Sequence, residues 1–90
     1  MSNLTDNKAA NRFEMPVEGH VAFVTYQRGD GVIRLNHAEV PQALEGRGVG
    51  SALVKATLEA VRAEGLKVVP RCSFIASYMR RHPEYADLVA

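Results

Sequence analysis

The residues with the clearest chemical potential in this chain form one stretch, Glu45-Gly46-Arg47-Gly48-Val49-Gly50-Ser51. Glycine recurs at every second position, so the backbone can fold tightly and approach a ligand without interference from Cβ atoms. The longest helical pattern in the sequence starts within this stretch. The first turn of a helix presents unpaired N–H groups and the positive end of the peptide dipole. A phosphate or diphosphate is the group such a junction holds best. Upstream, His37 and Glu39 put two ionisable side chains at the end of the extended run that leads into the loop, where protons could be exchanged with a bound substrate. Downstream, Cys72 lies just before a second predicted helix, a position that favours a thiolate. No group of His, Cys, Asp and Glu residues has the spacing of a metal site.

The glycine pattern is not a P-loop, because the Gly-Lys-Ser/Thr ending is missing, and it is not the full Gly-x-Gly-x-x-Gly of dinucleotide folds. Its meaning depends on the elements around it. Arg12 to Val17 alternates partly and reads as an edge strand, where Pro16 does little harm. Gly19 breaks the pattern. Val21 to Tyr26 is rich in β-branched and aromatic residues and is the clearest strand. Both of its faces are largely apolar, so it is predicted to be central. Gly29-Asp30-Gly31 then marks a hairpin turn. The next strand runs from Val32 to Val40. Strict alternation puts Ile33, Leu35, His37 and Glu39 on one face. Pro41 ends the ladder.

Val49 to Glu64 reads as an amphipathic helix. Val49, Leu53, Ala56 and Ala60 form one stripe, with Val54, Leu58 and Val61 beside it. Lys55, Glu59 and Arg62 lie opposite, at spacings that let them pair on the surface. Gly65 stops the helix. Lys67 to Pro70 is a short strand, and strand–helix–strand implies a parallel pair with a right-handed crossover. Pro70 removes one ladder bond, which lets the two parallel strands separate at that end. Ser73 is a candidate cap for a helix over 74–81, with Phe74, Ile75, Tyr78 and Met79 as its apolar side. Pro83 ends it. Glu84 to Val89 is expected to form one last turn packed back by Tyr85, Leu88 and Val89.

Ninety residues suit one domain, read here as 11–90 behind a flexible tail of residues 1–10. Apolar residues make up 47% of the chain, enough for a core. The net charge of +1 argues against nucleic acid as a partner. One cysteine cannot form an internal disulfide, and no apolar run reaches membrane length. The expected setting is the cytoplasm, as a monomer or weak dimer with no membrane partner.

On these residues the sequence resembles a known superfamily. Val40-Pro41-Gln42-Ala43-Leu44-Glu45-Gly46-Arg47-Gly48-Val49-Gly50-Ser51-Ala52-Leu53-Val54 is similar to the acetyl-CoA-binding motif of the GNAT acetyltransferases. Glu45 stands where many larger members have Gln or Arg. The likeness extends to the minimal single-domain subgroup through His37-Ala38-Glu39-Val40-Pro41, Val69-Pro70-Arg71-Cys72 and His82 to Leu88.

The resemblance implies an α+β fold, with N-terminal antiparallel strands followed by a strand–helix–strand parallel pair splayed at the cofactor site, all packed with helices. It implies acetyl-CoA as co-substrate, an amine acceptor on a small molecule or a protein, and no metal. The diphosphate would lie on the loop amides from Arg47 through Gly48, Val49 and Gly50 to Ser51, with the Arg47 side chain adding charge. The pantetheine arm would pair near Glu39 and Val40. The thioester would point toward His37, Glu39 and Cys72. Transfer to an amine needs a base, and Glu39 is the first candidate, with a solvated strand-end carboxylate as the other reading. His37 is either that base or a histidine hydrogen-bonded on the sheet face. Cys72 is either a transient acetyl carrier or a small thiol lining the pocket. Tyr78 matches in placement the tyrosine that protonates the thiolate in larger relatives, and its spacing equally suits the core. A non-catalytic CoA or acyl-CoA-binding module is the competing function.

Overall fold

The computed structural model describes residues 3–90; Met1 and Ser2 lie outside the described residues. Five strands form one sheet in the order β1 (Thr5–Asn7), β2 (Arg12–Val17), β3 (His20–Arg28), β4 (Val32–Glu39) and β5 (Lys67–Pro70). The first four are antiparallel neighbours, and β5 runs parallel to β4. Helix α1 (Val49–Ala63) makes the crossover between β4 and β5, and α2 (Ser73–Arg81) follows. A 3-10 turn over Pro83–Leu88 ends the helical layer. The expected α+β architecture with one parallel pair is what the chain adopts.

The core lies between one face of the sheet and the helices. Phe13, Met15, Ala22, Val24, Tyr26, Ile33, Leu35 and Val68 meet Leu53, Val54, Leu58 and Val61 of α1 and Ile75, Tyr78 and Met79 of α2. Removal of these side chains from water is the main stabilising term of the fold. The other face of the sheet is only partly covered. Val21 is 42% exposed, although the apolar run around it predicts burial on both faces of β3. β3 is central in the sheet, but helices pack on one side only.

Three further elements differ from the sequence expectation. The segment read as a tail is ordered from Thr5 on: β1 pairs with Arg12, Phe13 and Glu14, and a 3-10 turn over Lys8–Ala10 follows. Polar residues suffice there, because an edge strand is held by backbone bonds and has little to bury. β2 is therefore an edge only beyond Glu14, and Pro16 falls in that uncovered half. On α1, Glu59 and Arg62 are near enough for their charges to interact, but they make their hydrogen bonds to the C-terminal turn and not to each other. The Tyr85 hydroxyl donates to Glu59 at 2.7 Å, and Arg62 Nη1 donates to Asp87 at 2.8 Å. Both bonds pin the C-terminal turn to α1.

β4 departs from simple alternation at the point that matters most for function. Its register against β3 shifts between Thr25 and Tyr26: Thr25 faces His37, while Tyr26 faces Leu35. Asn36 is the extra residue of a β-bulge. Each residue after it changes face. Ile33 and Leu35 point into the core, but Ala38 now shares their face, and His37 and Glu39 point to the opposite one. The predicted common face for Ile33, Leu35, His37 and Glu39 is not formed.

Candidate active site

The bulge coincides with the point where β4 loses β5. Their parallel ladder runs from Val32 with Lys67 to Leu35 with Pro70 and ends there. The Leu35 carbonyl then accepts from the amides of both Arg71 and Cys72, at 3.0 and 3.2 Å, as the chain turns into α2. Beyond Leu35, β4 continues with β3 alone. The expected separation of the parallel pair is present, with Pro70 at its apex.

The free end of β4 leads through a 3-10 turn over Gln42–Leu44 into the glycine loop. Leu44 is buried and anchors the loop to the protein. Gly46 and Gly48 have φ of +79° and +74°, the left-handed region that favours glycine. Gly48 is also the residue at the start of α1 and offers no side-chain cap. The first helix bond is Ala52 N–H to the Gly48 carbonyl, so the amides of Val49, Gly50 and Ser51 have no partner within the helix. Gly50 has a different reason for being glycine. Its backbone is helical, and a Cβ there would lie 3.1 Å from the Phe74 ring. The missing side chain makes room for an aromatic of α2.

A cavity of about 600 Å³ opens at this junction, lined by β4 through Ala38, Glu39 and Val40, by the loop through Leu44, Glu45, Gly46 and Gly48, and by Val49, Gly50, Ser51 and Phe74. It brings together the end of β4, the α1 amides and the first turn of α2. Of the residues singled out from sequence, Glu39, Val40, Gly48, Val49, Gly50 and Ser51 line it, whereas His37, Arg47 and Cys72 do not. His37 is nevertheless coupled to the site: its Nε2 lies 3.0 Å from Glu39 Oε1, and both side chains are more than half exposed. Cys72 packs against the core where β5 leaves β4. Arg47 turns away from the cavity and grips Glu18 in the β2–β3 turn. That pairing holds the Glu18 carboxyl below, and the Arg47 guanidinium above, its ordinary value.

Tyr78 is 4% exposed, and burial raises its phenol above the ordinary value. It stacks on His82 with ring centroids 4.0 Å apart, as a core aromatic would. Sequence reasoning missed Glu18 and the cavity role of Phe74. Glutamate before Gly19 is the one signal for the first, because Asn or Asp is the usual partner of glycine in such a turn. Phe74 reads as part of an apolar helix face, which conceals its place at the cavity. Among the described residues, no group of three or more His, Cys, Asp or Glu side chains could hold a metal ion, and no helix is long and apolar enough to cross a membrane.

A mixed sheet with an interrupted fourth strand, a glycine loop at the start of the crossover helix and a splayed parallel partner defines an acetyltransferase-like fold. The solution structure of a GCN5-like protein from Staphylococcus aureus superposes with a TM-score of 0.72 at 32% identity, covering 100% of this chain and 91% of that one. The family model for GCN5-related N-acetyl-transferase matches residues 12–88, and the chain belongs to that family. Protein NATD1 of Gallus gallus is 40% identical over 55 residues, which is 61% of this chain and 50% of that protein. Protein NATD1 of Danio rerio is 33% identical over 63 residues, 68% of this chain and 57% of that protein. The matched stretch thus spans about half the length of these curated relatives.

Proposed function

We propose that this chain is an acetyl-CoA-dependent N-acetyltransferase acting on an amine. The observation that carries the reading is the cavity at the loop, where the uncapped amides of Val49, Gly50 and Ser51 meet the free end of β4. The loop and α1 amides suit the diphosphate of CoA. Ala38, Glu39 and Val40, released from β5, offer backbone groups to the amides of a pantetheine arm. The Glu39 and His37 pair acts as one proton acceptor: Glu39 borders the cavity, and His37 hydrogen-bonds to it from behind. The neutral amine attacks the thioester carbonyl, the C–N bond forms and the C–S bond breaks. The proton taken by the pair ends on the leaving thiolate. Core packing of Cys72 supports a structural role for the thiol rather than a covalent one. The acceptor, the cytoplasmic setting and the monomer or weak dimer remain part of this proposal.

Amine-dependent release of free thiol from acetyl-CoA, measured across amines and peptides, tests the reading. Glu39→Gln is expected to lower kcat about 100-fold, in the range of a lost general base, with CoA affinity nearly unchanged. Binding of CoA with no turnover on any amine would leave the binding-module reading. No binding of CoA by the folded protein would end both.

A further inference from the structure

Glu18 has a backbone that glutamate rarely adopts. With Gly19 it forms the two-residue turn closed by the pairing of Val17 with His20, and φ is +49° at Glu18 and +82° at Gly19. Two positive φ values mark the turn that favours Asn-Gly or Asp-Gly. A residue with a longer side chain is held there against its preference, which points to a use for that side chain. The carboxylate makes a two-pronged contact with the glycine loop, accepting from Arg47 Nη1 at 3.1 Å and from Arg47 Nη2. Both side chains stay about half exposed, at 48% for Arg47 and 59% for Glu18, so the pair is weakly held. Arg47 is the loop's own cation, yet the cavity beside it is lined by Glu39 and Glu45 and by no Lys or Arg.

We propose that Glu18 is a built-in counter-ion: it keeps Arg47 outside the cavity until a diphosphate replaces it. The inference rests on the CoA-binding reading above. A guanidinium fork fits a phosphate as well as a carboxylate, and the phosphate brings the greater charge. The exchange therefore runs toward the ligand once the loop amides hold it. In the empty protein the same contact ties the loop to the β2–β3 turn. Glu18 thus sets cofactor affinity without being a ligand.

Calorimetric titration of CoA into the full chain tests the exchange with Glu18→Asn, Arg47→Ala and the double variant. Asparagine accepts the left-handed backbone, so Glu18→Asn should keep its thermal midpoint while removing the competing carboxylate. It should bind CoA about threefold to fivefold more tightly, the scale of an exposed ion pair. Arg47→Ala should bind about tenfold more weakly, as expected for a lost charge-assisted bond. On the Arg47→Ala background, Glu18→Asn should change nothing. Weaker or unchanged binding by Glu18→Asn alone overturns the exchange. So does an equal gain without Arg47, which would reflect mere removal of negative charge. If the unaltered chain binds CoA and Glu18→Asn does not tighten it, only the exchange fails; if the unaltered chain binds no CoA, the functional reading fails with it.

Discussion

The two halves of β4 have the same backbone type and opposite surroundings. From Val32 to Leu35 the strand is paired on both sides, and its inward side chains, Ile33 and Leu35, are fully buried. From Asn36 to Glu39 it has lost β5, carries a bulge, and holds His37 and Glu39 in solvent. At the closed end, ion pairs and hydrogen bonds join the surrounding elements: Arg28 to Asp6 and Glu64, Arg62 to Asp87, Tyr85 to Glu59. At the open end, backbone amides at the start of α1 and the edge of β4 face a cavity. One end secures the fold, and the other leaves polar groups free to be satisfied by a ligand. A single inserted residue, Asn36, separates the two.

The largest expected effect tests the closed end. Leu58 is fully buried under α1. Leu58→Ala should lower unfolding free energy by about 2–5 kcal/mol, the range for a large-to-small change in a packed core. Urea unfolding measures it, and a loss below about 1 kcal/mol would mean that the helical cover packs more loosely than the contacts indicate.

Gly48→Val tests the open end. At φ +74° a β-branched residue costs about 1–2 kcal/mol or more, borne by the loop. The free loop escapes that strain by leaving its binding geometry, so CoA affinity should fall about fivefold to thirtyfold, since 1.4 kcal/mol is a factor of ten. The urea midpoint should move less than for Leu58→Ala. The reverse order of effects would contradict the division of labour along β4.

How far the sequence reveals this division depends on what signals each part. The closed end is legible because periodicity reports burial: the α1 stripe packs as its pattern implies, and Ala22, Val24, Tyr26, Ile33 and Leu35 are buried, although the doubly apolar run at 21–26 is covered on one face only. The loop is legible because glycine marks unusual backbone, and Gly46 and Gly48 have it. The bulge is not legible. Asn36 has no side-chain signature for insertion, and simple alternation assigns His37 and Glu39 to the wrong face. Nor is the Glu18 and Arg47 pair legible, since 29 positions separate its members and only the fold brings the β2–β3 turn to the loop. β1 escapes notice because a three-residue edge strand buries too little to leave a pattern.

Alkali should reach the closed end selectively. Burial, and then the bond to Glu59, push the Tyr85 phenol above its ordinary 10.0. The folded state therefore keeps the proton at a pH where the unfolded chain releases it. The stabilisation is fully present below about pH 10 and is lost as pH rises from there toward the folded value. Urea midpoints should be flat from neutrality to pH 9.5 and fall above pH 10 (both approximate). Tyr85→Phe should cost about 1 kcal/mol at neutral pH and make the alkaline fall shallower. Equal alkaline slopes in both proteins would mean that Tyr85 ionises alike in the folded and unfolded chains.

The smallest effect gives the sharpest test, because Gly50 joins the two regions. A Cβ at Gly50 would meet Phe74 Cζ at 3.1 Å, closer than packing tolerates without movement. Phe74 is 42% exposed, so its ring can move outward. Alanine also gains helix propensity over glycine, by up to about 1 kcal/mol. The two terms oppose each other, and Gly50→Ala should shift unfolding free energy by less than about 1 kcal/mol. The displaced ring borders the cavity, so CoA affinity should still change. Adding Phe74→Ala should remove that change, as for two residues in direct contact. If Gly50→Ala weakens CoA equally with and without the Phe74 ring, the glycine is required by the ligand's approach to the backbone rather than by packing within the protein.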